Sequence, residues 1–117
     1  SAPFHCALMR PAADAMAHAL DRVTMNAPVV PVVVNVLARP TSDPAAIRQH
    51  LVEQVTGMVR WTESVRWLAR EGGVTELYEL GAGKVLTGLA KRIAPDTAAS
   101  AVGTPADVEA AIAAMSA

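Results

Sequence analysis

Helix-like and strand-like patterns alternate along the 117 residues of this chain, and that alternation restricts the fold more than any other feature. Apolar residues recur at spacings of three and four in some segments, and short runs rich in β-branched residues separate these segments. The predicted order is helix, strand, helix, helix, strand, helix, strand, helix. Strands separated by helices favour parallel pairing with crossover helices, so the sequence predicts an α/β fold. The length predicts one compact domain.

Each of the first four predicted helices presents an apolar face. The residues of these faces are Met9, Ala12, Ala13, Met16, Leu20 and Val23 in the first helix, Ile47, Leu51 and Val55 in the second, Trp61, Val65 and Leu68 in the third, and Val85, Leu86, Leu89 and Ile93 in the fourth. Pro11 is compatible with the first turn of the first helix, where a missing N–H has no helical partner. Asp43 is predicted to cap the second helix, and Thr104 with Asp107 to form a capping box at the last one.

Three segments predict strands. Residues 29–37 form a β-branched run with prolines at its entrance, which predicts a buried strand and is too short and too broken for a membrane-spanning helix. The segment "RPTSDPAAI" that follows predicts a loop leading into the second helix. Residues 74–80 and 97–102 predict the other strands, and the glycines of "GAG" at 81–83 predict a tight turn from strand to helix.

The composition restricts which side chains can fill the core and which kinds of partner the chain can attract. Hydrophobic residues make up 52% of the sequence and aromatic residues only 3%, so the core should be packed from small side chains. The formal net charge of -1 provides no global field that would attract nucleic acid or an anionic membrane, and neither is expected as a partner. The single cysteine, Cys6, cannot form an internal disulfide, which fits a reducing compartment, and we expect a cytoplasmic protein.

The residues by themselves give only weak signals of chemistry. His5 stands beside Cys6, but adjacent side chains of an extended segment point to opposite sides, so a buried Cys6 thiol is expected rather than a Cys-His pair. His18 and His50 lie among polar neighbours of helices and are interpreted as structural residues. The three histidines have no metal-ligand spacing, so no metal is expected. The "GAGK" turn at 81–84 could offer backbone N–H groups to a phosphate, but it lacks the spacing of a nucleotide-binding loop.

Five stretches carry a family resemblance. They are, in order, "SAPFHCALMRPAADAM", "PVVPVVVNV", "IRQHLVEQV", "VRWTESV" and "ELYELGAGKVLTGLAKRI". Together they resemble the malonyl-CoA:acyl carrier protein transacylases of fatty acid synthesis, which are related to the acyltransferase domains of polyketide synthases. The resemblance covers nearly the whole chain, and its first and last stretches are the most specific.

The resemblance implies a fold and a boundary. Members of this family have a large hydrolase-like α/β subdomain into which a small ferredoxin-like subdomain is inserted. Residues 1–117 would form the C-terminal segment of the large subdomain, a part of its parallel-strand and crossover-helix core that lacks the N-terminal half and the insertion. The family's nucleophile lies in a Gly-His-Ser-x-Gly segment, and none of the serines of this sequence has a glycine two residues to either side.

The resemblance also implies roles for individual residues. His5, in "PFHC", matches the family's histidine and would be the general base, and the main-chain carbonyl of Gln54, in "LVEQ", would orient it. Because that contact is through the backbone, Gln54→Ala should be mild, whereas a change that moves the helix end near Gly57 should be worse. Phe4 matches the aromatic residue of malonyl-selective domains, where the ring fills the space that an α-methyl group would need.

The implied function is malonyl transfer from malonyl-CoA to the phosphopantetheine thiol of acyl carrier protein, an S-malonyltransferase activity without a cofactor. This chain would supply the histidine base but not the serine nucleophile, so it should be inactive alone and should associate with the missing N-terminal half or with itself. An alternative is a non-catalytic module that binds acidic acyl carrier protein through Arg48, Lys84, Lys91 and Arg92. A third is a small nucleotide-binding domain at the "GAGK" turn.

Overall fold

Residues 3–116 are described by the computed structural model of the chain. Its helices are α1 (Arg10–Leu20), α2 (Pro44–Thr56), α3 (Trp61–Arg70), α4 (Val85–Ile93) and α5 (Pro105–Met115), with a short 3-10 helix (Ala7–Met9) before α1. Its strands are β1 (Val32–Val34), β2 (Arg39–Thr41), β3 (Glu76–Leu80) and β4 (Ala98–Val102). The chain divides into two compact units, one ending at Ser64 and the other beginning at Val65, whereas the length predicts a single one.

The first unit is a helical pair with a β-hairpin. α1 and α2 pack against each other, and both β1 and the 3-10 helix contact α2. α2 begins where the sequence predicts, because the two carboxylate oxygens of Asp43 accept the backbone N–H groups of Ala45 and Ala46, each at 3.2 Å. Ala13 of α1 and Ile47 of α2 are buried.

The prediction of a buried strand over 29–37 is wrong in its length. β1 contains only the three valines from 32 to 34, whereas Val29 is fully exposed and Val30 is 69% exposed. Pro28 and Pro31, at the entrance of this segment, have no N–H group to donate, so the chain before β1 does not enter a ladder of hydrogen bonds. Apolar composition alone therefore predicts a strand that is too long.

The pairing of β1 also differs from the parallel arrangement that the sequence predicts. β1 pairs with β2 as an antiparallel hairpin, so part of the segment predicted as a loop is a strand. Ala38 reverses the chain in left-handed backbone at φ 53°, and its N–H donates to the Val34 carbonyl at 2.8 Å. Pro40 lies opposite Val33. A proline is tolerated there because a strand at a sheet edge can leave one face of its backbone unpaired.

The second unit contains the parallel pair that the sequence predicts. β3 and β4 run parallel, with Glu76 opposite Ala98 and Leu80 opposite Val102, and α4 is the helix between them. α4 contacts both strands, and α5 contacts β4. The prediction of parallel strands with a crossover helix is therefore confirmed for this pair.

One helix of the second unit begins at its predicted capping box, and another ends at a glycine. Thr104 and Asp107 form the capping box of α5: the Asp107 N–H donates to Thr104 Oγ1 at 3.2 Å, and the Thr104 N–H donates to the Asp107 carboxylate at 2.9 Å. After α3, Gly73 adopts left-handed backbone at φ 64°, and the Val74 N–H returns to the Leu68 carbonyl at 2.9 Å.

The buried face of α4 differs in part from the predicted one, of which the last two residues are half-buried. Val85 is 72% exposed and Leu86 is 40% exposed, whereas Thr87 and Ala90 are buried. The cause is Glu79 of β3, whose carboxylate accepts the Thr87 N–H and the Thr87 hydroxyl, both at 2.7 Å, and the Leu86 N–H at 3.1 Å. These bonds turn Thr87 inward, so the helix is rotated relative to its apolar pattern.

Small side chains make up the interior, as the composition predicts. The buried apolar residues are Ala13, Val34, Ala38 and Ile47 in the first unit and Val65, Ala90, Ala94, Ala99 and Val102 in the second. Within residues 3–116, Val65 is the largest side chain that is less than 2% exposed. Because burial energy scales with apolar area, each of these side chains contributes less than a buried aromatic residue would.

Glu79→Gln should destabilise the second unit at neutral pH. The hydrogen bonds from the Thr87 side chain and backbone hold the pKa of Glu79 below its ordinary value of 4.5. A carboxyl whose pKa is lowered by folding stabilises the fold above its unfolded pKa, and that contribution disappears as the pH falls through the folded pKa. Urea denaturation should therefore show a deficit for Glu79→Gln at pH 7 that shrinks steadily below about pH 4.5. Glu109→Gln, an exposed change on α5, is the control, and an equal deficit for Glu79→Gln at every pH would contradict this account.

Candidate active site

His5 lies in a tight turn just before the 3-10 helix. Its backbone is left-handed at φ 56°, a region in which histidine is more frequent than most residues. The thiol of Cys6 donates to the Pro3 carbonyl at 3.2 Å, and the Met9 N–H donates to the Cys6 carbonyl at 3.0 Å. These two bonds close the turn on either side of His5. Cys6 is half-buried, which corrects the expectation of a buried thiol.

The imidazole of His5 reaches the end of α2. Nδ1 lies 2.9 Å from the main-chain oxygen of Gln54. A carbonyl oxygen only accepts hydrogen bonds, so Nδ1 carries the proton and donates it. In the neutral imidazole, Nε2 is then left with a free lone pair, which can accept a proton from another group. The contact thus selects the tautomer that a general base requires.

The Gln54 carbonyl is available because α2 ends just after it. The last carbonyls of a helix have no partner further along the chain, and they form the negative end of the helix dipole. Gly57 terminates the helix in extended backbone, and its N–H donates to the Glu53 carbonyl at 2.9 Å. The next carbonyl, that of Gln54, therefore accepts from His5 instead.

The side chain of Gln54 has a partner that sequence reasoning did not find, so the expectation of a mild effect for Gln54→Ala leaves out a lost hydrogen bond. Asn35, the first residue after β1, donates from Nδ2 to Gln54 Oε1 at 3.1 Å. The main-chain carbonyl of Asn35 accepts the Arg60 N–H at 3.1 Å. One signal was present in the sequence: Asn35 interrupts the run "VVVNVL", and a polar side chain among apolar ones usually requires a hydrogen-bond partner.

The other residues with predicted roles in binding or selectivity are exposed, except for Arg48. Phe4, directly before His5, is 65% exposed. Lys84, Lys91 and Arg92 are exposed. Arg48, expected as a free docking cation, instead donates from Nη2 to the Val23 carbonyl at 2.8 Å and is half-buried, because it ties α2 to the chain that follows α1.

The other histidines have the structural surroundings that the sequence predicts. His18 is exposed on α1. His50 Nδ1 lies 2.7 Å from the Glu53 carboxylate, which also accepts the Gln49 amide at 2.7 Å. The hydrogen bond from Gln49 and then the one from His50 lower the pKa of Glu53. These contacts join successive turns of α2.

The "GAGK" turn does not leave its helix start open to a phosphate. The N–H groups of Leu86 and Thr87 already donate to Glu79, as described above. An open pocket of about 470 Å³ lies beside the turn, and its lining includes Lys84 and Asp107. Two of the N–H groups that a phosphate would need are therefore already used, so this geometry gives the nucleotide-binding alternative no support.

Within residues 3–116, no group of three or more histidine, cysteine, aspartate or glutamate side chains is placed to hold a metal ion. Across the same residues, no helix is long and apolar enough to cross a bilayer.

Comparisons with known proteins identify the family. No protein-family model matches the chain. The malonyl CoA-acyl carrier protein transacylase of Salmonella typhimurium is 53% identical over 112 residues, which cover 96% of this chain and 36% of that protein. The crystal structure of the acyl-carrier-protein S-malonyltransferase from Bartonella henselae is 52% identical with a TM-score of 0.90 and covers 100% of this chain and 37% of that one. This chain belongs to the malonyl-CoA:acyl carrier protein transacylase family.

The chain spans about a third of the length of these transacylases, and the resemblance seen in its sequence is confirmed. A further structure, of a malonyl-transacylase in complex with the acyl carrier protein of a type II polyketide synthase, is 45% identical with a TM-score of 0.84. It covers 97% of this chain and 37% of that one. The mixed α/β fold is therefore shared with solved members of the family.

Gly57→Ala should destabilise the first unit and displace the Gln54 carbonyl. An added Cβ would lie 2.9 Å from Val36 Cγ1 and 3.0 Å from the Glu53 carbonyl oxygen, and such crowding costs about 1–3 kcal/mol. Gly88, inside α4, is the matched control: its added Cβ would meet no atom within 4 Å, so Gly88→Ala should stabilise by about 0.5–1 kcal/mol. Urea denaturation measures both, and a Gly57→Ala chain as stable as wild type would show that the end of α2 moves at no cost.

Proposed function

We propose that this chain supplies the histidine base for malonyl transfer from malonyl-CoA to the phosphopantetheine thiol of acyl carrier protein. The observation that carries the proposal is the 2.9 Å contact between His5 Nδ1 and the Gln54 carbonyl. It leaves Nε2 as a proton acceptor on a ring whose orientation is held by the end of a helix. The relatives named above carry this activity in their names, and the chain shares their fold.

The proposed reaction has two halves, and in each half His5 accepts one proton and donates one. In the first, Nε2 of His5 takes the proton of a serine hydroxyl while the serine oxygen attacks the malonyl thioester, and the imidazolium then protonates the departing CoA thiolate. In the second, Nε2 takes the proton of the phosphopantetheine thiol, whose sulfur attacks the seryl ester, and the imidazolium returns a proton to the serine. The Gln54 carbonyl, at the negative end of α2, stabilises each imidazolium.

The serine would come from a part of the enzyme that these 117 residues do not include. In this proposal the missing parts are the N-terminal half of the hydrolase-like subdomain and its ferredoxin-like insertion, and residues 1–117 are the C-terminal segment. Exposed apolar side chains support a covering partner, because removing apolar surface from water favours association. They include Val29, Val30 and Leu37 in the first unit and Leu80, Val85, Val108, Ile112 and Met115 in the second. Without that partner, the chain would cover them by self-association.

Docking of acyl carrier protein is assigned to exposed cations of the second unit. Lys84, Lys91 and Arg92 project from the start and the last turn of α4 and are exposed. Such cations attract an acidic partner and favour rapid association that weakens as salt is added. Arg48 contributes least to this surface, since its guanidinium is already bound to the Val23 carbonyl. The reaction would take place in the cytoplasm.

The decisive experiment is a chimera of the Salmonella typhimurium transacylase, in which residues 1–117 of this chain replace the matching segment. The two segments are 53% identical over 112 residues. The chimera should transfer malonyl from malonyl-CoA to acyl carrier protein, as read by intact-protein mass spectrometry, and the 117-residue chain alone should not. His5→Ala in the chimera should lower kcat about 10²- to 10⁴-fold, the usual contribution of a general base.

His18→Ala is the matched control, because His18 is exposed on α1 and takes no part in the proposed site. A folded chimera that transfers no malonyl group would overturn the assignment of function. Full activity in His5→Ala would overturn the assignment of the base, and transfer by the chain alone would mean that its nucleophile lies within residues 1–117.

Phe4 is proposed to select malonyl over methylmalonyl groups. Its ring is next to the base in sequence and would occupy the volume of an α-methyl substituent, a steric effect that discriminates by about 10- to 200-fold. Phe4→Ser in the chimera should raise kcat/KM for methylmalonyl-CoA relative to malonyl-CoA by a factor in this range. Leu8→Ser, a change at another exposed apolar residue, should leave the ratio unchanged, and an unchanged ratio in Phe4→Ser would remove Phe4 from the specificity pocket.

A further inference from the structure

A polar contact lies behind the candidate base, and the transfer chemistry described above does not use it. Asn35 donates from Nδ2 to Gln54 Oε1 at 3.1 Å, and the main chain of the same glutamine accepts from His5. We propose that Asn35 is a positioning residue for His5 and acts through the side-chain amide of Gln54. This inference rests on the proposed function, in which His5 is the general base.

Gln54 is held at two points by residues distant in sequence. Its main-chain oxygen accepts from His5, 49 positions away, and its side-chain oxygen accepts from Asn35, 19 positions away. Asn35 is itself fixed, because its carbonyl accepts the Arg60 N–H at 3.1 Å. Asn35 therefore joins the turn after β1 to the last turn of α2 and to the chain that enters α3.

The contact between Asn35 and Gln54 affects His5 because Gln54 lies in the last turn of α2. The ends of helices fray, and their carbonyls tilt more freely than those within the helix. A tilt of the Gln54 carbonyl weakens its bond with Nδ1, and the imidazole can then carry its proton on Nε2 instead. In that tautomer, Nε2 cannot accept a proton. By anchoring the residue whose carbonyl selects the tautomer, Asn35 increases the fraction of His5 that is ready to act.

The Asn35 and Gln54 side chains are partly removed from water, which favours a lasting hydrogen bond between them. Both Asn35 and Gln54 are half-buried, and an amide removed from water requires a replacement hydrogen bond. The Asn35 amide follows the apolar residues of β1, and Gln54 is the partner that the described residues provide for its Nδ2. The contact therefore fixes a rotamer of Gln54 that an exposed glutamine would not keep.

The first test reads the tautomer directly. Nitrogen-15 NMR of the 117-residue chain, at a pH where the imidazoles are neutral, reports the share of His5 with its proton on Nδ1. His18, exposed on α1, is the internal reference. We expect Nδ1–H to dominate in the wild-type chain, to fall in Asn35→Ala, and to stay unchanged in Asn26→Ala, where the other asparagine of the chain is exposed.

The route through Gln54 is tested by a double-variant cycle. Gln54→Leu keeps the main-chain carbonyl but removes the side-chain acceptor, so it should lower the Nδ1–H share as much as Asn35→Ala. The double variant should show no further loss. Asn35→Asp should restore much of the share, because the Gln54 amide can rotate by half a turn and donate to the new carboxylate. If Asn35→Ala does not fold, as judged by circular dichroism, the comparison of Gln54→Leu with wild type still decides the route.

The second test is kinetic and uses the transacylase chimera. Asn35→Ala should lower kcat about three- to tenfold, the range of one net hydrogen bond, with KM for malonyl-CoA unchanged. Equal tautomer shares in Asn35→Ala and Asn26→Ala, or additive losses in the double variant, would overturn the proposal. A changed tautomer share with unchanged kcat would also overturn it, since Asn35 would then orient the ring without serving the base. An inactive chimera would overturn the proposed function instead, while the NMR measurements would still decide whether Asn35 positions His5.

Discussion

The last turn of α2 carries carbonyl groups that the helix cannot satisfy, and the arrangement of the first unit depends on how they are satisfied. The Gly57 N–H binds the Glu53 carbonyl at 2.9 Å, and the His5 imidazole binds that of Gln54 at the same distance. Gly57 fits closely under Val36, which determines where the helix stops. The direction of the next carbonyl follows from that stop, and the orientation of the imidazole follows from the carbonyl.

The starts of three helices show a complementary arrangement, since a carboxylate accepts backbone N–H groups at or next to each of them. Asp43 precedes α2 and Asp107 lies in the first turn of α5, so both act on N–H groups close to them in sequence. Glu79 acts from a strand on N–H groups of α4 up to eight positions away. At the glycine-rich turn before α4, Glu79 already accepts two of the N–H groups that an external phosphate would need.

The same distinction between near and distant contacts explains what the sequence could predict. The helices, the caps at Asp43 and Thr104 and the β3–α4–β4 crossover depend on local patterns, and all of them are present. The predicted buried face of α4 was wrong at its first two residues because Glu79 holds Thr87 inward. Periodicity within the helix contains no information about that carboxylate. The prediction of a long strand over 29–37 was wrong because an apolar run does not specify what pairs with it.

The candidate site was predictable in part for the same reason. His5 alone was a weak candidate, and a family resemblance, not spacing, linked it to Gln54. The contact joins residues 49 positions apart, beyond the range of any local pattern. Asn35 was missed because its partner also lies on another element. Only the polar residue within an apolar run indicated that some partner existed.

The choice of a main-chain carbonyl to orient the imidazole has a chemical consequence for acid tolerance. A carboxylate in that place would have its own protonation equilibrium, and in acid it would lose the charge that holds the ring. A peptide oxygen does not titrate in water near neutral pH, so the hydrogen-bonded pair contains one ionisable group rather than two. The hydrogen bond that orients the His5 ring therefore has an acceptor whose charge state does not depend on the proton concentration of the medium.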